Sequence, residues 1–376
     1  MSHLKTRIFT VIILILCLNA CSNNADSVHQ TPLPTAARQI EPTNLGIGSG
    51  EVVTATPVGT AEKVIPEEVE IVPLKIPESI DAASFEYSGL AWFGENLVLL
   101  PQFPEGKDFS RDPNLFSIAK KDLLRSVQNP DLELPIRSVP IINSDLRKVI
   151  EGFEGFEAIL FVDQTVYLTI ESRAGNPMMG YLIKGEVQGD LESITLDPDS
   201  LVRLEPFTSE RNATFEAMTC RNDKIYVIYE HNSEKNGRQP VAYEFNLELK
   251  MEREIPFPAI NFRITDATIS DASGKFWVMN YFFPGDAHLA VEQDDLVLKY
   301  GEGKTHAENE PVERLVQLQI ENEAITRVDQ PPIYLQLLPL NVARNWEGIA
   351  QLDESGFLLI VDSFPGSMLG FCPLIR

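Results

Sequence analysis

The stretch Trp346-Glu-Gly-Ile-Ala-Gln-Leu-Asp-Glu-Ser-Gly-Phe-Leu-Leu-Ile-Val-Asp-Ser363 decides the fold, because it is the unit that the chain repeats. An acid and a small residue, Glu347-Gly348, open a first apolar run, and a polar turn follows with a glycine at position 356. The second apolar run ends on Asp362. Two apolar runs joined by a short glycine-containing turn predict a β-hairpin. This hairpin carries a carboxylate at each open end.

The same pattern occurs four more times along the chain. The opening and closing residues of these copies are Ser88 and Gln102, Glu157 and Glu171, Glu216 and Glu230, and Asp266 and Asn280. They are separated by 14 residues in these four copies and by 15 in the copy that opens at Glu347. Five hairpins in one register, with matched chemistry at their ends, predict a repeat architecture.

The segments between the hairpins also have the composition of strands, which gives four strands per repeat. Four-stranded repeats arranged radially form a β-propeller, so we predict an all-β fold of five or six four-stranded blades. The last repeat lacks an outer strand, and residues 69–76 are predicted to supply it and close the ring. Residues 296–300 are predicted as a strand, and residues 122–126 and 144–150 as short helices. An open β-sandwich is the alternative fold.

The N-terminus has the features of a bacterial export signal. Lys5 and Arg7 precede an apolar run over residues 8–18, which assigns residues 1–20 to a signal peptide. That run is shorter than the roughly 20 residues that a membrane-spanning helix needs. Leu18-Asn-Ala-Cys21 resembles the lipobox of bacterial lipoproteins, which implies lipidation of Cys21. A transmembrane anchor with an incidental cysteine is the alternative.

The remaining chain divides by composition into a tether and a domain. Residues 21–65 are rich in Thr, Pro, Ala and Ser and contain no aromatic residue, so we predict a disordered tether. Residues 66–376 form the predicted propeller domain. Its cysteines, Cys220 and Cys372, either form a disulfide or pack as small apolar residues.

Charge and the lipid anchor restrict the partners and the location. A formal net charge of −24 argues against nucleic acid as a partner. A lipid on Cys21 makes the membrane a partner and holds the protein outside the cytoplasm. We therefore predict a lipid-anchored protein of the cell envelope, at the outer membrane in a bacterium with two membranes.

The ends of the hairpins predict a site at one mouth of the propeller channel. The first strand of each blade lies innermost and the second returns to the same face, so opening and closing residues become neighbours. Long connections are predicted at this face over residues 103–114, 172–178, 231–240 and 281–294. The acids expected there are Glu157, Glu171, Glu216, Glu230, Asp266, Glu347 and Asp362. Two such charges 4 Å apart repel by ~4 kcal/mol, and oxygen ligands favour calcium, so we predict these acids as calcium ligands.

Four arginines lie close to these acids in the sequence. Arg173, Arg263 and Arg344 are predicted to bind substrate, because guanidinium groups grip phosphate or carboxylate with two hydrogen bonds. The alternative is structural, with Arg344 paired to Glu347 and Arg211 paired to Glu216. His231 and His288 fall in the predicted mouth loops, where each is either an acid or base or a solvated side chain.

Three short motifs carry a resemblance to a known family. Ser88-Gly-Leu-Ala-Trp92, Phe215-Glu-Ala217 and Trp346-Glu-Gly-Ile-Ala350 resemble repeats of the phytase-like domain, also called the esterase-like activity of phytase domain. The resemblance covers roughly residues 82–372. It implies a propeller and a phosphoester hydrolase activity attributed to the recurring acids, here Glu157, Glu216 and Glu347. Ser88, Gln102 and Asn280 depart from the acidic pattern.

Two functions remain open from the sequence. The first is a membrane-tethered, calcium-assisted phosphoester hydrolase that acts on a phosphorylated small molecule. The alternative is a non-catalytic propeller that binds a ligand or a protein partner on the same face. Fold alone does not separate the two.

Overall fold

The computed structural model describes residues 65–80, 82–210, 212–233, 237–366 and 368–374. The predicted signal peptide, the lipidation site Cys21 and all but the last residue of the predicted tether lie outside this part of the chain, as does Arg211. Within the described residues, no helix combines the length and the apolar character needed to cross a membrane.

Strands dominate the described residues. They are β1 (Glu68–Val69), β2 (Val72–Leu74), β3 (Tyr87–Phe93), β4 (Asn96–Pro101), β5 (Asn114–Ala119), β6 (Arg137–Ile142), β7 (Phe153–Val162), β8 (Thr165–Ser172), β9 (Met179–Gln188), β10 (Ser193–Leu204), β11 (Ala217–Arg221), β12 (Lys224–Ile228), β13 (Val241–Asn246), β14 (Met251–Pro256), β15 (Arg263–Ala267), β16 (Lys275–Phe282), β17 (Val312–Glu321), β18 (Ala324–Arg327), β19 (Ile333–Leu335), β20 (Trp346–Leu352), β21 (Gly356–Val361) and β22 (Leu369–Pro373).

Helices are few and short. They are α1 (Ala82–Phe85), α2 (Lys120–Gln128), α3 (Asp295–Tyr300) and α4 (Lys304–Glu308), with 3₁₀ turns at Glu78–Ile80 and Leu146–Lys148. The predicted all-β class is therefore confirmed.

The strands form antiparallel groups in chain order. β3 to β6 form one group and β7 to β10 a second, and a parallel pairing of Ile194 with Ile141 joins the two groups through β10 and β6. β11 to β14 form a separate four-stranded sheet. In the next sheet, β15, β16, β17 and β19 lie side by side and β18 pairs with β17. The last sheet has the order β20, β21, β22 and β2.

The first strands of these groups form a closed ring. β3 packs against β7, β7 against β11, β11 against β15, β15 against β20, and β20 against β3. An apolar cluster fills each gap between neighbouring groups; Val98 and Leu168, for example, are buried between the first two. This radial arrangement is a β-propeller, as the hairpin repeat predicted.

The segment before the first hairpin closes the ring. Val72 of β2 pairs with Phe371 of β22, which confirms that an N-terminal strand completes the last sheet. The predicted single strand over 69–76 is wrong in one respect, because it is two short strands in different sheets. β1 pairs in parallel with β19 instead. The carboxylate of Glu68 accepts a hydrogen bond from the backbone N–H of Thr305, at 3.0 Å.

Local structure differs from the sequence prediction in two places. The predicted strand at 296–300 is the helix α3, because the side chain of Asp294 caps it by accepting a hydrogen bond from the backbone N–H of Leu296 at 3.0 Å. The predicted helix at 122–126 lies within α2, whereas the one at 144–150 is reduced to a 3₁₀ turn. Cys220 and Cys372 are free thiols, in β11 and β22 of separate sheets.

Candidate functional site

A cavity of about 700 Å³ opens where the first hairpins of the five groups meet. Most of the predicted site residues line it, namely Glu157, Glu171, Arg173, Glu216, Arg263, Glu347 and Asp362. The hairpin geometry explains this, since each hairpin brings its opening and closing positions to the same face. Glu230, Asp266 and Arg344 do not line the cavity.

Glu157 and Glu171 form a buried carboxyl pair at the ends of one hairpin. A hydrogen bond joins them, which requires a proton on one of the two groups. Burial raises the pKa of both, and the charges of Glu171 and Glu216 raise the pKa of Glu157 further. Gln102 holds the pair together, because its Nε2 donates to Oε1 of each glutamate at 2.8 Å. The sequence analysis identified Gln102 only as a residue that departs from the acidic pattern, and it predicted no role for this side chain.

Glu216 immediately precedes β11 and faces the cavity. Burial raises the pKa of its carboxyl to about 8, against the opposing effect of the nearby Arg263 charge, while Glu171 adds to the rise. Its Oε2 atom is buried and makes no hydrogen bond. At neutral pH most of this carboxyl is therefore protonated and able to donate a proton into the cavity.

Glu347 and Asp362 close the other side of the acid cluster. Burial raises the pKa of Glu347 well above its ordinary value, and the charges of Glu216 and Asp362 add to this effect. Asp362 lies in a turn, where its Oδ1 accepts a hydrogen bond from the backbone N–H of Phe364 at 2.8 Å. These two acids are neighbours, as the hairpin predicted.

The two arginines of the cavity already have acidic partners. Arg263 is mostly buried; its Nε lies 3.0 Å from Oδ2 of Asp286 and its Nη1 contacts Oε1 of Glu230. Arg173 is half-exposed, and its Nη2 lies 2.8 Å from Oε2 of Glu154. A substrate anion would therefore compete with protein carboxylates for both guanidinium groups.

Arg344 has a structural role, which corrects its prediction as a substrate ligand. Its guanidinium Nε and Nη2 lie 2.8 and 2.7 Å from Oε2 of Glu313, and both side chains are buried. Nη2 also donates to the backbone carbonyl of Gln336 at 2.6 Å. The alternative pairing of Arg344 with Glu347 is wrong as well, because Glu313 on β17 takes that place.

Asp266 and Glu230 are also structural, which corrects their prediction as calcium ligands. The Oδ2 atom of Asp266 accepts backbone hydrogen bonds from Ile349 at 2.8 Å and Leu90 at 3.3 Å. Asp266 therefore links β15, on which it lies, to β20 and β3 through hydrogen bonds. These bonds occupy the oxygen that an ion would need. Glu230 is fully buried and its Oε1 is held by Arg263.

The sequence did not predict the aromatic residues that line the cavity. They are Tyr87, Phe103, Phe109, Phe153, Tyr281, Phe283 and Phe364. Four of them fall within or at the ends of the connections over 103–114 and 281–294. The prediction of long connections at this face could therefore have pointed to these aromatic residues. Aromatic faces beside polar groups are typical of small-molecule sites.

The cavity acids do not converge as a compact cation site. Among the described residues, one group of three side chains brings its ligand atoms within 4.8 Å of one another, and it consists of Glu210, His231 and His288. None of these was predicted as a metal ligand. Calcium binding by the cavity acids stays a prediction.

Comparisons with known proteins do not assign this chain to a family. No protein-family model matches the sequence, and no curated protein matches it significantly. The resemblance to the phytase-like domain therefore stays a prediction.

Similar solved structures include glycoside hydrolases and a sugar dehydrogenase. An α-L-arabinofuranosidase from Clostridium thermocellum has 10% identity and a TM-score of 0.43, over 73% of this chain and 81% of its own. The aldose sugar dehydrogenase from Escherichia coli has 8% identity and a TM-score of 0.41, over 81% of this chain and 100% of its own. A bifunctional GH43-CE protein from Bacteroides eggerthii has 9% identity and a TM-score of 0.42, and the match covers 81% of this chain but only 34% of that protein. Likenesses at this level carry no argument about function.

Proposed function

We propose that the protein is a hydrolase and that the acid-lined cavity is its active site. The observation that carries this proposal is Glu216, whose pKa is raised to about 8 and whose buried Oε2 has no hydrogen-bond partner. A carboxyl group kept protonated at neutral pH, beside other carboxyl groups in a cleft, is typical of general acid catalysis.

The cluster supplies both roles that acid–base hydrolysis requires. Glu216 donates its proton to the leaving-group oxygen. The Glu157–Glu171 pair holds one proton between two carboxyl groups, so its ionised member accepts a proton from the attacking water. Glu347 lies close enough to Glu216 for the charge of Glu216 to raise the pKa of Glu347, so this carboxyl also favours its protonated form.

The charge of the cavity restricts the substrate. Its carboxyl groups are Glu86, Glu154, Glu157, Glu171, Glu216, Asp286, Glu347 and Asp362. They outnumber the two arginines, both of which are paired with acids. A phosphate ester would meet net repulsion here unless a cation accompanied it, whereas an uncharged polyhydroxyl substrate would not. We therefore propose a glycosidic bond as the first substrate class, since two carboxyl groups are sufficient to hydrolyse it.

Calcium-assisted phosphoester hydrolysis is the second candidate. The half-exposed guanidinium of Arg173 favours it, because a phosphate oxygen could reach this group from solvent. In this reaction calcium bound by Glu157, Glu171, Glu216, Glu347 and Asp362 would offset the cavity charge and polarise the phosphate.

Turnover assays distinguish the candidates. The purified protein is tested on glycosides, phosphomonoesters, phosphodiesters and phytate, each with calcium and with a chelator. Glycosidase activity that survives chelation supports the first candidate, and phosphatase activity that depends on calcium supports the second. Absence of turnover on every substrate would favour the non-catalytic binding propeller.

A matched pair of variants tests the role of Glu216. Glu216→Gln should lower kcat by about 100-fold or more, the usual contribution of a general acid. Glu244→Gln is the control, because Glu244 is also a buried carboxyl group but lies on β13 and pairs with Arg253 outside the cavity. Equal activity of the two variants would contradict the assignment of Glu216.

We further infer that the propeller has five blades. The closed ring of first strands β3, β7, β11, β15 and β20 supports this number over six. In this count the group built on β15 contains the longest interval between hairpins, the 81 residues from Asp266 to Glu347. Its extra length forms α3, α4 and β18 rather than another blade.

We also propose that the domain is held at the cell envelope by a lipid on Cys21. The charged and apolar pattern of residues 1–20 and the lipobox-like Leu18-Asn-Ala-Cys21 support this. Metabolic labelling with a fatty acid should mark the wild-type protein and not Cys21→Ser. Label in the Cys21→Ser variant would contradict the proposed anchor.

A further inference from the structure

We propose that Glu210, His231 and His288 form a zinc site beside the cavity, separate from the carboxyl cluster. The three residues come from different connections on one face, since Glu210 precedes β11, His231 follows β12 and His288 follows β16. Their ligand atoms all lie within 4.8 Å of one another. Nδ1 of His231 contacts Oε2 of Glu210, and Nε2 of His288 lies 3.7 Å from the same oxygen.

The types of ligand atom in this group indicate which metal it would bind. Two imidazole nitrogens and one carboxylate oxygen are ligands typical of zinc, whereas calcium takes oxygen ligands only. Ligands at roughly 2.0–2.2 Å in a tetrahedral site are about 3.3–3.5 Å apart. The 3.7 Å separation of His288 and Glu210 is within a small side-chain movement of that geometry. Three protein ligands leave a fourth position for water.

The surroundings of His231 match those of a metal-bound imidazole. Its second ring nitrogen, Nε2, lies 3.6 Å from Oε2 of Glu230. Glu230 is itself fixed by Arg263. With Nδ1 on the metal, Nε2–H would donate towards Glu230, an arrangement that orients metal-binding histidines in many proteins.

Two buried oxygens support the same conclusion. The contacts of Oε2 of Glu210 are with the rings of His231 and His288, and Oε2 of Glu230 is buried without a hydrogen bond. A zinc ion would satisfy the first oxygen directly and the second through the His231 ring. His288 is half-exposed, so solvent provides a route by which the ion enters.

Bound zinc would link the three segments that carry Glu210, His231 and His288 at the cavity mouth. Its contacts reach the cavity wall through Glu230 and Arg263, and Arg263 is paired with Asp286 on the same wall. The site therefore offers a metal-dependent support for the cavity that does not depend on the reaction proposed for it.

Metal titration of the full chain tests the site. The protein is stripped with a chelator, dialysed and titrated with zinc chloride in a calorimeter and in thermal melts. We expect one zinc per chain and a rise of about 2–5 °C in melting temperature, because an ion that binds only the folded state stabilises it. Cobalt(II) in place of zinc should give the visible absorption of a low-coordinate site.

One variant makes the test specific. His288→Ala removes a half-exposed ligand and should fold, yet it should weaken zinc binding about 100-fold and abolish the cobalt absorption. His29→Ala, which changes a histidine of the predicted tether, is the control and should bind as the wild type does. Absence of zinc binding, or equal affinity and absorption in His288→Ala and the wild type, would overturn the proposal. Several weak zinc ions per chain would also overturn it, since they indicate adventitious surface binding.

Discussion

Replacing Arg344 with methionine should destabilise the protein by about 3–5 kcal/mol, because it leaves a charged Glu313 buried without its cation. Both side chains of this ion pair are almost fully buried. Methionine keeps most of the apolar stem of Arg344, so the loss of free energy reports mainly on the guanidinium group.

The magnitude follows from the hydrogen bonds that remain. The variant loses the two guanidinium contacts with Oε2 of Glu313, at 2.8 and 2.7 Å. Glu313 keeps the backbone N–H of residue 344 at 2.9 Å and the indole N–H of Trp346 at 2.7 Å. Each hydrogen bond to a charged group contributes about 1.5–3 kcal/mol, so two lost bonds agree with the cost of an unpaired buried charge.

The assay is unfolding in guanidinium chloride, with Arg173→Met as the matched control. The Arg173–Glu154 pair is exposed by 48% and 30%, so its loss should cost at most about 1 kcal/mol. A double variant, Arg344→Met with Glu313→Gln, should recover part of the loss because no charge is then left unpaired. An Arg344→Met cost no greater than that of Arg173→Met would refute the reasoning.

The pH dependence of the Arg344→Met deficit gives an independent check. Burial raises the pKa of Glu313 above its ordinary value of 4.5, and Arg344 opposes that rise. In Arg344→Met the folded-state pKa rises further, so the folded state gains from protonation of Glu313 and loses that gain as pH rises through the folded-state pKa. The deficit should therefore be smallest below about pH 4.5 and grow towards neutral pH.

Three further outcomes are expected. Because the folded-state pKa of Glu216 is about 8 and its ordinary value is 4.5, the stability that this group contributes is present below 4.5 and lost as pH rises through 8. Glu216→Gln should therefore gain stability relative to the wild type between pH 5 and pH 9, as denaturant melts would measure. Gln102→Leu should destabilise the protein by about 1–3 kcal/mol, since the Glu157–Glu171 pair loses its shared donor, and unfolding at pH 7 compares it with the wild type. If the cavity acids bind calcium, chelation should lower the melting temperature, and an unchanged melting curve would exclude calcium.

The hairpins and their ends were predictable because they depend on local patterns. Alternation of apolar residues and turn composition placed β20 and β21, and the geometry of a hairpin then brought Glu347 and Asp362 to the same mouth. The same logic placed Glu157 beside Glu171. These inferences need only the alternation of apolar residues along each strand and the number of residues in the turn, and both can be read from the sequence.

The partners of the charged residues were not predictable, because they depend on packing between distant segments. Arg344 is three residues from Glu347 in sequence but pairs with Glu313, which β17 brings close. The group of Glu210, His231 and His288 likewise joins three separate connections. At residues 296–300 an apolar run resembled a strand, and the capping side chain of Asp294 marked a helix instead.

The pairing of β2 with β22 has a consequence for folding if the chain is exported as proposed. β2 pairs with β22, a partner about 300 residues further along the chain, and such long-range contacts slow folding. An exported chain would present β1 and β2 first, and they would stay unpaired until β19 and β22, respectively, had crossed the membrane. During that interval the open edge of a strand can join another chain. The N-terminal strand that completes the last sheet of the ring would thus also be the segment most exposed to mispairing and proteolysis during the proposed export.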